Sequence, residues 1–247
     1  MKKLLLILFF SLVIISFSVT VMAEQGANEN TLNINQVQQD QAWSGYNLKA
    51  VGGSEIGWLS LNLDDLNNIL AANDFPELSD NFFIYGWSGV AGRKIGNRLG
   101  ALTLKGSSES KIGNKMTGFL INYSGLVYKR GFYATKDLDI SAGAMVGAGG
   151  IKLRLLSDEP GEFENIIEDI ADGNHHTATM EKNFLALNPT ISLAYSFDSP
   201  VDIGVSAGYL FTYDGKSNWE IAGNEIAGGP LSNFKAFNLT FQVYIGF

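Results

Sequence analysis

The chain has 247 residues, a formal net charge of −8 at pH 7 and no cysteine. The absence of cysteine excludes disulfides, thiolate metal ligands and a lipid-modified cysteine, and the acidic balance argues against nucleic acid as a partner. Charged residues make up 17% of the chain, below the roughly 25% that is usual for soluble domains.

The first 23 residues have the pattern of a secretory signal peptide. Lys2 and Lys3 precede the apolar run LLLILFFSLVIISFSV, and Val21-Met22-Ala23 follows it. We expect cleavage after Ala23, because the run is short for a membrane span and no stop-transfer pattern follows. Residues 24–42 are polar and rich in Asn and Gln, and they predict a flexible leader before a single domain, 43–247.

From residue 43 onward, apolar and polar residues alternate, which predicts β-strands and no α/β fold. In the last three predicted strands the odd positions are apolar and the even positions are small or polar. The eight predicted strands are 45–58, 81–92, 98–107, 115–128, 134–155, 185–197, 201–213 and 237–247.

Three segments add detail to this pattern. In the fifth strand the apolar parity changes from even to odd at Gly149-Gly150, which predicts a β-bulge there, or two shorter strands that meet at a bend. Pro189 fits poorly in mid-strand, so we expect a local bulge or a later strand start. Segment 62–74 predicts a short amphipathic helix, capped by Asn62, which packs the loop or covers the barrel mouth.

The predicted connections alternate between short and longer. Short turns lie near 95–97, 129–131 and 198–200, whereas longer segments lie at 59–80, 108–114, 156–182 and 214–236. Both chain ends fall on the side of the short turns. This layout predicts an all-β fold, an eight-stranded antiparallel up-and-down transmembrane β-barrel with short periplasmic turns and longer external loops.

A soluble, lipocalin-like ligand-binding barrel would also show alternation, and it is the alternative to exclude. A soluble barrel needs a charged outer face, yet Asp202 is the only charged residue in 185–197, 201–213 and 237–247. The apolar positions are large and aromatic, and the aromatics cluster near strand ends, as in the interfacial girdles of membrane barrels. The pattern therefore favours the membrane barrel.

The signal peptide, the eight amphipathic strands and the aromatic ending resemble the small bacterial outer-membrane β-barrel proteins, such as OmpX, OmpW and the barrel of OmpA. The resemblance covers the whole mature chain as architecture. It implies insertion in the outer membrane, with lipid and lipopolysaccharide around a monomer. It also implies that the outer-membrane assembly machinery recognises the terminal strand. The matching residues are Phe241, Val243, Ile245, Gly246 and Phe247.

If the apolar residues face outward, seven charged residues face the lumen. Lys49, Asp139 and Asp202 would lie near the periplasmic end, and Glu55, Lys105, Lys152 and Arg154 near the outer end. They would form a polar gate of a narrow pore, or else interior ion pairs, or solvated charges at the strand ends.

The external loops supply the remaining candidates. His175 and His176, beside two threonines, are candidates for contact with a partner. Trp219 either contacts a partner as well or tucks into the rim. Some barrels of this class modify lipid A with a His, a Ser and a carboxylate, but no Ser lies near the His pair. The sequence thus predicts a structural, adhesive or narrow-pore protein that is no enzyme and has no metal or cofactor. The alternative is a lipid A-modifying enzyme.

Overall fold

A computed structural model of the chain describes residues 48–135, 137–157, 177–197, 200–215, 218–226 and 228–246. The predicted signal peptide and leader lie outside these residues, as do His175, His176 and Phe247. The described elements are β1 (Leu48–Leu61), α1 (Asp64–Ala72), β2 (Asn81–Arg93), β3 (Gly96–Ile112), β4 (Lys115–Ala134), β5 (Leu138–Leu156), β6 (Thr177–Ser196), β7 (Val201–Tyr213), β8 (Trp219–Ile221), β9 (Asn224–Ile226) and β10 (Lys235–Gly246).

Eight of the described strands form a closed barrel. The strand order is β5-β4-β3-β2-β1-β10-β7-β6, all neighbours are antiparallel, and β5 pairs with β6 to complete the circle. The first and last strands pair from Val51↔Gly246 to Leu61↔Ala236. This confirms the predicted eight-stranded antiparallel up-and-down barrel. The short β8–β9 hairpin extends from the outer end of β6.

The turns at one end of the barrel are short, and three of the four connections at the other end are long. The fourth is a two-residue turn, Gly113-Asn114, because β3 and β4 stay paired as far as Ile112↔Lys115. The predicted medium loop at 108–114 was therefore wrong. We call the half of the barrel near the short turns the inner half and the other the outer half. Among the described residues, no helix has the length and the hydropathy needed to cross a membrane.

Strand β5 contains no bulge at Gly149-Gly150. Its pairing with β4 runs unbroken from Leu156↔Met116 to Ser141↔Gly131, and the only register shift falls between Gly131 and Tyr133. Even positions of β5 face outward along its whole length, so Ile151 and Leu153 point inward. The apolar residues change parity because the interior itself changes from polar to apolar, while the register stays the same.

The interior is polar in the inner half and apolar in the outer half. Inward positions of β10 show the polar part with Asn238, Thr240 and Gln242, all buried. Inward positions of the outer half pack as an apolar core, which we call the outer core. Its members include Leu59, Leu61, Ile84, Leu104, Phe119, Ile121, Tyr123, Ile151, Leu153, Phe184 and Leu210.

Helix α1 covers the outer core. Leu66 and Leu70 are buried in the core cluster, whereas Ile69 is exposed. The N-cap is Leu63, which makes no side-chain capping bond, so the predicted cap at Asn62 was wrong; Asn62 Oδ1 instead accepts the backbone N–H of Asp64 at 3.0 Å from one position further out. Asn67 exchanges two 2.9 Å hydrogen bonds with the backbone of Leu78, which ties the helix to the returning chain.

Pro189 is accommodated by a gap in one ladder. The β6–β7 pairing lapses between Leu187↔Phe211 and Thr190↔Gly208 without a change of register, whereas Pro189 stays opposite Ala144 of β5. A proline lacks the N–H that a ladder needs on one side. The predicted bulge or later strand start was therefore wrong, because the barrel omits two pairings instead.

The barrel interior as the candidate functional site

A buried charge cluster joins four strands at the inner end. Arg98 of β3 donates to both carboxylate oxygens of Asp139 of β5, at 2.8 and 2.9 Å. Lys49 of β1 bridges Asp139 at 2.7 Å and Asp202 of β7 at 2.8 Å. The two positive and two negative charges balance, so each desolvated charge has an opposite partner.

A third buried carboxylate, that of Glu55, lies further along the lumen. Glu55 of β1 accepts hydrogen bonds from Tyr244 Oη at 2.6 Å, Gln242 Nε2 at 3.1 Å and Thr240 Oγ1 at 3.2 Å, and also from Ser88 Oγ. The donors come from β10 on one side and β2 on the other. Charge-assisted hydrogen bonds of this kind replace the water that the carboxylate lost.

Lys129 of β4 faces the same space from the opposite wall. Its Nζ donates to Ser192 Oγ at 3.2 Å, and Ser192 Oγ donates to Ser206 Oγ at 3.0 Å. A cavity of about 20 Å³ lies between Lys129 and Glu55, with Asn188, Thr240 and Gln242 in its lining. A cavity of that size holds about one water molecule, for which roughly 10–15 Å³ suffices.

The outer core closes the lumen beyond this cavity. Phe82 and Phe119 pack edge to face with ring centroids 5.9 Å apart, and Phe184 and Phe234 do so at 5.2 Å. At the outer rim, the buried Lys182 Nζ lies 2.7 Å from Asp214 Oδ2. Apolar side chains of the described residues therefore fill the lumen above this cavity.

Four of the predicted lumen charges do face the interior. Lys49, Asp139 and Asp202 meet in the inner cluster, and Glu55 lies apart from them among its hydroxyl and amide donors. Their function as a gate stays a prediction.

Lys105, Lys152 and Arg154 instead lie exposed on the outside of the barrel, so their predicted place in the lumen was wrong. Lys105 Nζ lies 4.7 Å from the ring centroid of Tyr85, and Lys152 pairs with Glu181 at 2.7 Å. They face outward because the outer core occupies the lumen at this level.

Sequence reasoning missed Lys182 at the outer rim and two buried cations in the inner half, Arg98 and Lys129. Residues Leu102 and Leu104 share their parity with Arg98 and are apolar, which suggested an outward face. The signal that could have found them was charge balance, since the inner end was predicted to hold two aspartates and a single lysine.

The terminal strand lies as predicted for a barrel in lipid. Phe241, Val243 and Ile245 are exposed on the outside, and Gly246 pairs with Val51. Recognition of these residues and of Phe247 during assembly stays a prediction. Of the two places predicted for Trp219, contact with a partner or the rim, the structure shows the rim, because the side chain is 3% exposed and its Nε1 donates to the Pro230 carbonyl at 3.0 Å.

The exterior decides between the membrane and soluble classes. Large apolar side chains are exposed on the outside of every barrel strand, whereas the inner half buries polar ones. A soluble barrel has the opposite arrangement, so the lipocalin-like alternative was wrong. The closed barrel, its eight strands and its apolar exterior together define a small transmembrane β-barrel of the outer-membrane type.

No protein-family model matches the chain, and no curated protein matches it. Among solved structures, it is similar to Ail, the attachment invasion locus protein of Yersinia pestis, with 11% identity, 81% of this chain and 99% of that chain covered, and a TM-score of 0.37. Neisserial surface protein A (NspA) shows 14% identity, coverage of 81% and 97%, and a TM-score of 0.43. Ail in complex with the heparin analogue sucrose octasulfate shows 10% identity, coverage of 81% and 99%, and a TM-score of 0.43. These values are too low to bear on function.

Proposed function

We propose that the protein is a non-enzymatic, adhesive surface barrel of the bacterial outer membrane, which acts through its external end and not through its lumen. The closed interior supports this proposal most directly. The polar inner half retains a cavity of about 20 Å³, and the outer core fills the lumen above it. A solute larger than a single water molecule has no route through such an interior.

The chain's own features support the location and the partners. The predicted signal peptide favours export, and the exposed apolar exterior needs a hydrocarbon surrounding. Outer-membrane lipid and lipopolysaccharide are then the surrounding partners of a monomer, and the assembly machinery inserts it. The acidic net charge of −8 disfavours nucleic acid.

An open strand edge in the outer half supports the adhesive function. The pairing of β2 with β3 ends at Ile84↔Gly106, but β3 continues and stays paired with β4. Residues 107–110 therefore have no described strand on their second side. Such an edge accepts an extended segment of another protein by main-chain hydrogen bonds.

A conductance experiment tests the closed lumen. The purified barrel, with its heat-dependent gel mobility as proof of folding, is added to a planar lipid bilayer. We expect no steady discrete current steps, because the outer core leaves no continuous aqueous path. Reproducible current steps from the folded protein would contradict the proposal and favour a narrow-pore function instead.

Substitutions at Glu109 test the strand edge. The two-residue turn makes Ile112 and Lys115 a hydrogen-bonded pair, so Glu109, three positions back, directs its N–H away from β4. Glu109→Pro removes this donor, and Glu109→Ala removes the same charge but keeps the donor.

Attachment of bacteria that produce each variant to cultured epithelial cells and to matrix proteins is then counted. We expect Glu109→Pro to reduce attachment several-fold and Glu109→Ala to leave it near wild type. Equal attachment by all three folded proteins, or no attachment by the wild type, would contradict the edge as the adhesive surface.

A further inference from the structure

A cleft on the outside of the outer half is much larger than the lumen cavity beside Glu55. It lies between the start of α1 and the segment 229–235, and its volume is about 480 Å³. Small-molecule sites typically occupy about 300–1,000 Å³. The cleft is lined by Asn62, Asp65, Tyr209, Gly229, Pro230, Leu231, Ser232, Asn233, Phe234 and Lys235.

One wall of the cleft is held in a defined and strained conformation. Leu231 and Asn233 have φ values of +63° and +48°, which side chains rarely adopt. Three buried or half-buried donors hold the carbonyls of this segment. Trp219 Nε1 donates to Pro230 at 3.0 Å, Lys182 Nζ to Leu231 at 3.2 Å and Thr212 Oγ1 to Phe234 at 2.8 Å.

These anchors determine which side chains face the cleft. Leu231 and Phe234 are buried, and Phe234 packs against Phe184, whereas Ser232, Asn233 and Lys235 remain exposed. The backbone that carries the exposed polar groups is therefore held in place before any ligand arrives. Preorganisation of this kind reduces the entropy that a ligand must overcome on binding.

The groups in the cleft fit a neutral, hydroxyl-rich ligand. The Asp65 carboxylate and the Ser232 hydroxyl are exposed and have no hydrogen-bond partner among the described residues. A carboxylate accepts from two adjacent hydroxyls, and an amide such as that of Asn233 both donates and accepts. The ring of Tyr209 offers a flat apolar surface with a polar tip.

The charge in the cleft disfavours a polyanion. Among the described residues that line it, Lys235 is the one cationic side chain and Asp65 the one carboxylate. Lys235 Nζ also lies 5.9 Å from the ring centroid of Phe211. This cation–π contact already attracts the ammonium group, so less of its charge is available to an anionic ligand. A sulfated or multiply phosphorylated ligand would need several cations, whereas an uncharged sugar needs none.

We propose that this cleft is a saccharide-binding site, in which Asp65 accepts hydrogen bonds from vicinal hydroxyls and Tyr209 stacks on one face of the sugar ring. The site is separate from the strand edge at 107–110 and does not depend on it. Two sources carry this chemistry in an outer membrane, namely the core sugars of lipopolysaccharide and glycans of a host surface.

The test measures saccharide binding by the folded barrel in detergent micelles. One probe is the dephosphorylated core oligosaccharide released from lipopolysaccharide, titrated by calorimetry. The other is an array of uncharged host-type glycans. Binding to one probe and not to the other identifies the source, and binding to neither overturns the proposal.

Paired substitutions assign the binding to this cleft. Asp65→Asn and Tyr209→Ala should each weaken binding at least tenfold. Their matched controls are Asp74→Asn, at the other end of the helix, and Tyr213→Ala, further along the outward face of β7, and both should bind as wild type. If Asp65→Asn and Tyr209→Ala bind as tightly as their controls, the cleft is not the site.

Discussion

The buried charge cluster at the inner end should be the most sensitive polar site of the barrel. The change Asp139→Asn preserves the shape of the side chain but removes its charge. Arg98 and Lys49 then face Asp202 alone, so one positive charge is left without a partner. Removing one partner of a buried ion pair costs about 3–5 kcal/mol.

The free energy of unfolding is measured by urea titration in lipid vesicles, with tryptophan fluorescence as the signal. The control is Lys152→Gln, which breaks a 2.7 Å pair with Glu181 whose side chains are 49% and 55% exposed. Exposed pairs contribute about 0.2–1 kcal/mol. Asp139→Asn should therefore lower the free energy of unfolding several times more than Lys152→Gln.

A double variant tests the cause of this difference. Adding Arg98→Met to Asp139→Asn leaves Lys49 and Asp202 as one balanced pair, 2.8 Å apart. The double variant should be more stable than Asp139→Asn alone, by about 2 kcal/mol, within the range of measured coupling energies. Additive losses, or an Asp139→Asn cost no larger than that of Lys152→Gln, would refute the role of unpaired charge.

Further expectations concern the rest of the barrel. Tyr244→Phe removes a donor to Glu55 and should lower the free energy of unfolding by about 1.5–3 kcal/mol, whereas Tyr195→Phe on the outside should have little effect in the same titration. A Cβ at Gly57 would collide with the Leu239 carbonyl of the closing strand, but one at Gly118 would come no nearer than 3.8 Å to any neighbour. Gly57→Ala should therefore lower the yield of heat-modifiable barrel, and an equal loss in Gly118→Ala would contradict this. Deletion of Phe247 should reduce the amount of protein in the outer-membrane fraction, and an unchanged amount would exclude its part in assembly.

The sequence was most informative where lipid and polar lumen lie on opposite sides of a strand. In β7 and β10 the apolar odd positions face outward, as the alternation predicted, and the bounds of β7, Val201–Tyr213, match the predicted 201–213. Alternation predicts orientation there because only one side is apolar.

The same rule failed in the outer half, where the apolar side faces inward. Leu153 looks like a lipid-facing residue, and Lys152 and Arg154 look like lumen residues, but the true orientation is reversed. The sequence of a single strand does not show whether lipid, polar lumen or apolar core lies beside each of its positions. The cleft beside Tyr209 was equally hidden, because its walls come from segments more than 150 residues apart in sequence.

The change from a polar-lined to an apolar-lined interior also bears on the kinetics of insertion. The outer ends carry charged residues on their outside, such as Lys105, Lys152 and Glu181, and these must cross the hydrocarbon before the barrel is complete. Each costs up to about 2.5–3.5 kcal/mol at the bilayer centre. The outer core gains its packing energy only once the strands around it have closed on the far side. These crossings therefore oppose insertion until the outer ends have reached the far side, and the packing that follows should slow the reverse crossing.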